Sequence, residues 1–153
     1  MKFCKCGCRY LLAIDPGLMT GVCLIDLKDY DNPIRVWSAE VTVSQFHDKI
    51  EELVAAEDTH VVIENFIITE ATGKLSEAPW SLELKGAVAF LCYKYGKAMD
   101  VQLPVQKDFA DNDKLRSVGF WHVGEAGHAN DALRHAMIWI VEHNRKWTKK
   151  LLL

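Results

Sequence analysis

The stretch Leu11-Leu12-Ala13-Ile14-Asp15-Pro16-Gly17 decides how the chain reads. An apolar run ends in one carboxylate, and a Pro-Gly turn follows at once. A short continuous apolar run bounded by a turn signal fits a strand covered on both faces. The carboxylate then sits at the strand exit, where burial is costly unless the charge is paired or metal-bound. A simpler use of the same residue is open, because Asp before Pro-Gly is a common turn former. Further along, Val61-Val62-Ile63-Glu64-Asn65-Phe66 repeats the arrangement. Glu suits a central strand poorly, so Glu64 is harder than Asp15 to explain as scaffold. Asn65 beside it supports a carboxylate, contacts a substrate or caps a loop.

The remaining pattern supplies a frame around these two segments. Residues 10–17 and Val22 to Leu27 read as strands joined by the Pro16–Gly21 turn, and Ile34 to Val41 as a third, giving an antiparallel meander. Phe46, Ile50, Leu53 and Val54 then repeat at helical spacing, with Thr42 and Gln45 offering a capping box. His60 to Phe66 returns to strand, and residues 67–77 form a polar, glycine-bearing loop at the edge of the site. Pro79 and Gly96 bracket a helix whose stripe of Trp80, Leu84, Val88, Leu91 and Tyr95 is widened by Leu82, Ala89 and Cys92. A helix so apolar is covered by the sheet and a neighbouring helix, or else meets a second subunit.

Val101 to Val105 is a short last strand, residues 107–116 a brief helix, and residues 117–127 a loop containing Trp121. The final helix runs from about His128 to His143, with Ala129, Ala132, Leu133, Ala136, Met137 and Ile140 on its apolar face. The order βββαβαβα predicts an α/β fold, a mixed five-stranded sheet with helices on both faces. In that sheet the first and fourth strands are adjacent and central, so Asp15 and Glu64 meet. The expected organisation is one domain over residues 10–146, with tails at 1–9 and 147–153.

Bulk properties narrow the function classes. A chain of 153 residues, 50% apolar and 25% charged, suits a single globular core. No apolar run reaches the length of a membrane span and no secretory signal is evident, so a cytoplasmic, membrane-free protein is expected. A net charge of -3 is awkward for a nucleic-acid partner. Lysines and arginines at positions 107, 114, 116, 134, 145, 146, 149 and 150 nevertheless permit a local basic face. Cys4, Cys6 and Cys8 alternate ahead of the first strand; zinc lacks an evident fourth ligand, and the other reading is a reduced, frayed tail.

A third acid completes the chemistry. At helical spacing His128, Asp131 and His135 share one face, turned away from the Ala132-Leu133-Ala136-Ile140 stripe. That face is solvated, or it closes a metal site if the helix N-terminus meets the sheet at Asp15. Isolated acids aimed at one point suit a hard divalent cation such as Mg²⁺, and an imidazole at 128 suits Mn²⁺ somewhat better. Two such ions, about 4 Å apart and sharing one aspartate, hydrolyse phosphodiesters by activating water and stabilising the leaving oxygen. Metal-dependent cleavage of a phosphodiester, in DNA, is the expected activity.

With these residues in place, the chain resembles the RuvC-like Holliday-junction resolvases of the ribonuclease H-like superfamily, especially small phage-encoded members. The resemblance rests on Ile14-Asp15-Pro16-Gly17 with Thr20-Gly21, on Ile63-Glu64-Asn65, and on His128-Ala129-Asn130-Asp131-Ala132. Ser81 to Ala87 looks like the start of the family's central helix, and Pro104-Val105-Gln106-Lys107 like the stretch that brings a lysine to DNA. His128 stands where many members place another aspartate, which bears on metal preference.

The resemblance implies a homodimer that nicks opposed strands of a four-way junction, with forks and flaps as related substrates, using Mg²⁺ or Mn²⁺. It makes Asp15, Glu64, His128 and Asp131 the metal-binding catalytic set. Lys107, Lys85, Asn65 and Phe66 become DNA contacts, and the 67–77 loop approaches the junction centre. Bland alternatives stand beside two of these: Phe66 as core and Lys107 as a solvated lysine. A non-catalytic junction-binding module uses the same surface, and the Asp-Pro-Gly turn also occurs in sugar kinases and other ATPase-type relatives of the fold. The kinase reading lacks a second duplicated domain and an evident second phosphate-binding turn.

Overall fold

A computed structural model of the chain describes residues 7–70, 79–124 and 127–152. Its centre is one sheet of five strands: β1 (Tyr10–Asp15), β2 (Met19–Asp26), β3 (Ile34–Thr42), β4 (Thr59–Glu64) and β5 (Met99–Gln102). Their order across the sheet is β3-β2-β1-β4-β5. The β1–β2 and β2–β3 pairs are antiparallel, while β1–β4 and β4–β5 are parallel. The short turns after β1 and β2 force the meander. A crossover through α1 (Val43–Ala55) then returns the chain to pair β4 beside β1.

β1 is central, as its apolar run requires. Leu11 and Ala13 face one core, Leu12 and Ile14 the other, and all four are fully buried. The Leu12 side is covered by α1 and α2 (Trp80–Tyr95). The Ala13 side is covered by a 3-10 turn (Pro104–Phe109), α3 (Asn112–Ser117), α4 (His128–His143) and α5 (Arg145–Leu152). Thr42 and Gln45 close the expected capping box at the start of α1. Gly96, in the left-handed region at φ 62°, ends α2 by donating to the carbonyls of Cys92 and Tyr93.

Several expectations change. Residues 107–116 are not one helix: the 3-10 turn ends at Phe109, and Asp111 caps α3 afresh by accepting from the Lys114 N–H. Cys92 lies under α2 against the sheet, so it does not widen an exposed stripe; the exposed aromatics of that helix are Phe90, Tyr93 and Tyr95. Residues 147–152, read as part of a tail, belong to α5, whose Trp147 is only 2% exposed and packs on Phe120. Asn144 fixes this helix, accepting from the Lys146 and Trp147 N–H groups and donating to the Tyr30 carbonyl. The basic residues around Trp147 disguised its anchoring role. Cys8 is buried and disulfide-bonded rather than reduced, while Cys4 and Cys6 lie outside the described residues. Positions 71–77 of the expected loop also lie outside them. No helix among the described residues is long and apolar enough to cross a membrane.

Candidate metal centre

Asp15 and Glu64 are the last residues of adjacent parallel strands, with Ile14 opposite Ile63 in register. Both carboxylates therefore leave the sheet at the same edge. On the other side Asp15 pairs with Gly21 of β2, and this glycine is a point of close approach. A Cβ there would come within 1.8 Å of the His128 carbonyl oxygen, so the absent side chain lets α4 press its first turn onto β2. Glu40 of β3 secures the same turn by accepting from the Ala129 N–H at 3.3 Å. Asn130 exchanges two hydrogen bonds with the backbone of His122 and pins the preceding loop.

That docking carries α4's polar face to the strand ends. His128 Nδ1 lies 3.2 Å from Asp15 Oδ2. One turn further, Asp131 is bound by Arg134 at 2.6 Å and by Lys107 at 3.0 Å. Arg134 also donates to the Ala110 carbonyl and to Asn112. Another turn on, His135 Nε2 meets Glu64 Oε2 at 2.8 Å, and its Nδ1 meets Gln102 Oε1 at 2.7 Å. The four acids and imidazoles expected from sequence, Asp15, Glu64, His128 and Asp131, thus converge from three elements.

Lys107 takes an unexpected position. Its ammonium sits among the acids, 2.7 Å from Glu64, 3.0 Å from Asp131 and 3.8 Å from Asp15. It is neither a freely solvated lysine nor, in this state, turned outward towards a ligand. Lys85 donates to Asn65 Oδ1 at 2.6 Å, and Asn65 N–H donates to the Gln102 carbonyl, linking α2, β4 and β5 beside Glu64. Ser81 Oγ donates to the Pro16 carbonyl and brings the start of α2 to the same rim. Phe66 is half-buried, belonging to neither core cluster, and Ile67 and Ile68 beyond it are exposed.

Sequence comparison with protein families and with curated proteins returns no match. Comparison of folds is more telling. The structure is similar to T. thermophilus RuvC in complex with Holliday junction substrate, with a TM-score of 0.64 and 16% identity, over 92% of this chain and 95% of that one. The Thermus thermophilus RuvC structure gives a TM-score of 0.63 and 15% identity over 92% and 96%. The fold is RuvC-like. At such identities the likeness is one of architecture, a ribonuclease H-like mixed sheet with helices on both faces.

Within this RuvC-like frame the electrostatics single out the strand exits. Burial, with the Glu64 charge adding to it, pushes the Asp15 carboxyl up to about 6 against the opposing pull of Lys107. Burial acts upward on Glu64 too, but hydrogen bonds from His135 and Lys107 outweigh it and hold this carboxyl below its ordinary value. For Lys107, burial is overcome by Glu64 and Asp15, and its ammonium form is favoured. Glu64 is held as an anion while Asp15, a few ångströms away, resists becoming one.

The donor set fits a divalent cation. Three carboxylates face two permanent cations, Lys107 and Arg134, so ionising all three leaves negative charge in excess. Asp15, Glu64 and His135 each offer a ligand atom within 4.8 Å of the others. His135 was visible in sequence on the His128–Asp131 face, yet without a role. Its four-residue spacing from Asp131 was the signal, and a polar face turned from the apolar stripe made solvent look the simpler destination. It is instead 0% exposed.

Proposed function

We propose that the chain is a divalent-metal-dependent endonuclease that cuts branched DNA, with four-way junctions as the leading substrate and forks and flaps beside them. The observation that carries this reading is the convergence of Asp15, Glu64 and Asp131 from β1, β4 and α4 at the strand exits of a RuvC-like fold. RuvC of T. thermophilus, which shares the fold, is the protein seen with Holliday junction substrate.

In this reading Asp15, Glu64, His128 and Asp131 would hold Mg²⁺ or Mn²⁺ at the strand exits. The bound metal supplies an activated water and compensates charge on the phosphate. The protein's own part is positional. The β1–β4 register fixes the two strand-end carboxylates, the Gly21 contact fixes α4 against them, and His128 stands ready to orient water at Asp15. Lys107 exchanges acids for a substrate phosphate when the cluster is neutralised otherwise. Lys85 and Asn65 flank the approach, and Phe66 leads towards the junction centre. Cleavage of opposed strands calls for two copies. The exposed Phe90 and Tyr93 of α2, at 63% and 86%, support a homodimer built on that helix.

Incubation of purified protein with labelled four-way, fork, flap and linear DNA in Mg²⁺, Mn²⁺ or EDTA tests the activity. Metal-dependent cuts in branched substrates are expected, and absence of cleavage from all of them overturns the reading. A non-catalytic junction-binding module is the second reading. It is favoured by Lys107, which already balances part of the acid charge without a metal. Tight junction binding with no cleavage in either metal would select it.

A further inference from the structure

His135 enters the acid cluster without a place in the reading above. It stands on the buried side of α4, fully enclosed, and both ring nitrogens face oxygen acceptors: Gln102 Oε1 at 2.7 Å and Glu64 Oε2 at 2.8 Å. Gln102 is itself only 3% exposed, at the end of β5, and its backbone carbonyl accepts from Asn65. Its amide nitrogen has no hydrogen-bond partner among the described residues. An unsatisfied buried N–H is costly and calls for a reason. Here the amide is turned so that its oxygen addresses the imidazole.

We infer that His135 is a nitrogen ligand of the metal centre, oriented by Gln102, and that with Asp15 and Glu64 it makes the site prefer Mn²⁺ over Mg²⁺. The Gln102 amide oxygen only accepts, so it can take a hydrogen bond from His135 Nδ1, and Nε2, which addresses Glu64, is the nitrogen placed to meet a cation. A cation bound there would replace the proton that Nε2 shares with Glu64 at 2.8 Å. The ligand atoms of Asp15, Glu64 and His135 already lie within 4.8 Å of one another. A metal-ligating histidine that gives its other N–H to an oxygen acceptor is the usual arrangement, and Gln102 supplies that acceptor. Imidazole suits the later first-row cations better than Mg²⁺, which favours oxygen and water.

The inference rests on the metal-binding half of the proposed function and not on the nuclease half. The full chain without DNA is loaded with Mn²⁺ and examined by pulsed electron paramagnetic resonance for ¹⁴N coupling. His128→Asn removes the other imidazole near the acids. Coupling retained in His128→Asn is expected; coupling absent there, in protein that still binds Mn²⁺, overturns the inference without requiring any change in the core. His135→Asn is the complementary variant. Calorimetry should show Mn²⁺ affinity falling about tenfold or more, with Mg²⁺ affinity changing by less than about threefold. Equal losses for both ions, or none, also overturn it. Gln102→Leu leaves the ligand in place but frees its ring, and an intermediate loss of Mn²⁺ affinity is expected. A chain that shows nitrogen coupling but cuts no branched DNA retains the ligand and loses the nuclease reading. One that cuts DNA with no coupling in His128→Asn does the reverse.

Discussion

Helix α4 joins two clusters of histidine and carboxylate, one with β4 and β5 at its far end and one with the ends of β1 and β4 at its near end. At its far end Asp100 of β5 accepts from His60 of β4 at 2.9 Å and from the Trp139 indole at 2.7 Å. Trp139 stacks on His143, with ring centroids 4.1 Å apart. One carboxylate there meets two donors and keeps the rest of its surface in solvent. Burial acts upward on the Asp100 carboxyl, yet the Trp139 and His60 bonds prevail and hold it low. At the near end three carboxylates converge on Lys107 and Arg134, and burial leaves Asp15 near 6. The same residue types thus make a satisfied latch at one end and an unsatisfied demand for positive charge at the other. Histidine beside carboxylate is not by itself a functional signal; the charge left over after local pairing is.

The largest effect that separates the two ends is on DNA cleavage. Glu64→Gln, Asp15→Asn and Asp131→Asn are each expected to slow metal-dependent cutting about a thousandfold or more while the fold is retained. Each removes charge that holds the cation where the transition state needs it. Asp100→Asn should leave the cleavage rate within about threefold. Single-turnover assays with circular dichroism on the same samples make the comparison. Wild-type rates in two of the three near-end variants would dissolve the distinction between the ends.

Stability should move in the opposite sense. Because the Asp15 carboxyl lies near 6 rather than at its ordinary 3.8, the folded chain keeps a proton through that window which the unfolded chain has released. The Asp15 contribution therefore favours the fold at low pH and is lost as pH rises through about 6. Asp15→Asn stays neutral throughout. Without metal it should be more stable than wild type at pH 8, by on the order of 2–3 kcal/mol, and its stability should vary less between about pH 4 and 6. Urea unfolding in EDTA reads both. Asp100→Asn should instead lose about 1 kcal/mol, a small value because the carboxylate is half exposed and solvent screens it. A near-end variant less stable than wild type at pH 8 would mean that Asp15 is held as a paired anion, like Asp100.

The sequence made the sheet and the meeting of Asp15 with Glu64 legible because both depend on local, periodic signals. A continuous apolar run requires cover on both faces, and two such runs compete for the centre of one sheet. The tight turn after β1 and the crossover before β4 then leave little freedom of order. The interior of α4 was less legible. Helical spacing correctly grouped His128, Asp131 and His135, but the side on which that face meets the sheet depends on Gly21, a contact between residues far apart in sequence. Lys107 was readable as a lysine near the site and not as the ammonium between its acids, since the 3-10 turn that aims it has no strong local signature. Trp147 was concealed by the basic residues around it.

The smallest expected effect tests whether the surplus charge is real, and it falls on Lys107. Its ammonium bridges Glu64 and Asp131 and is largely shielded from solvent. If the near end lacks positive charge, Lys107 is an internal counter-ion that an entering metal must displace from between those carboxylates. Lys107→Met keeps most of the side-chain length and removes the charge. Mn²⁺ affinity in the absence of DNA should then rise about threefold to tenfold, in line with the loss of one partly screened ion pair per acid. Junction binding should weaken and show a shallower salt dependence, because the same ammonium is lost to the phosphate. These opposite signs are the useful part of the experiment. A lysine that merely braces the fold predicts weaker binding of both metal and DNA, whereas a solvated lysine predicts no change in either. If Lys107→Met lowers Mn²⁺ affinity, the carboxylates need the lysine to hold their positions, and the near end is a braced cluster like the one around Asp100.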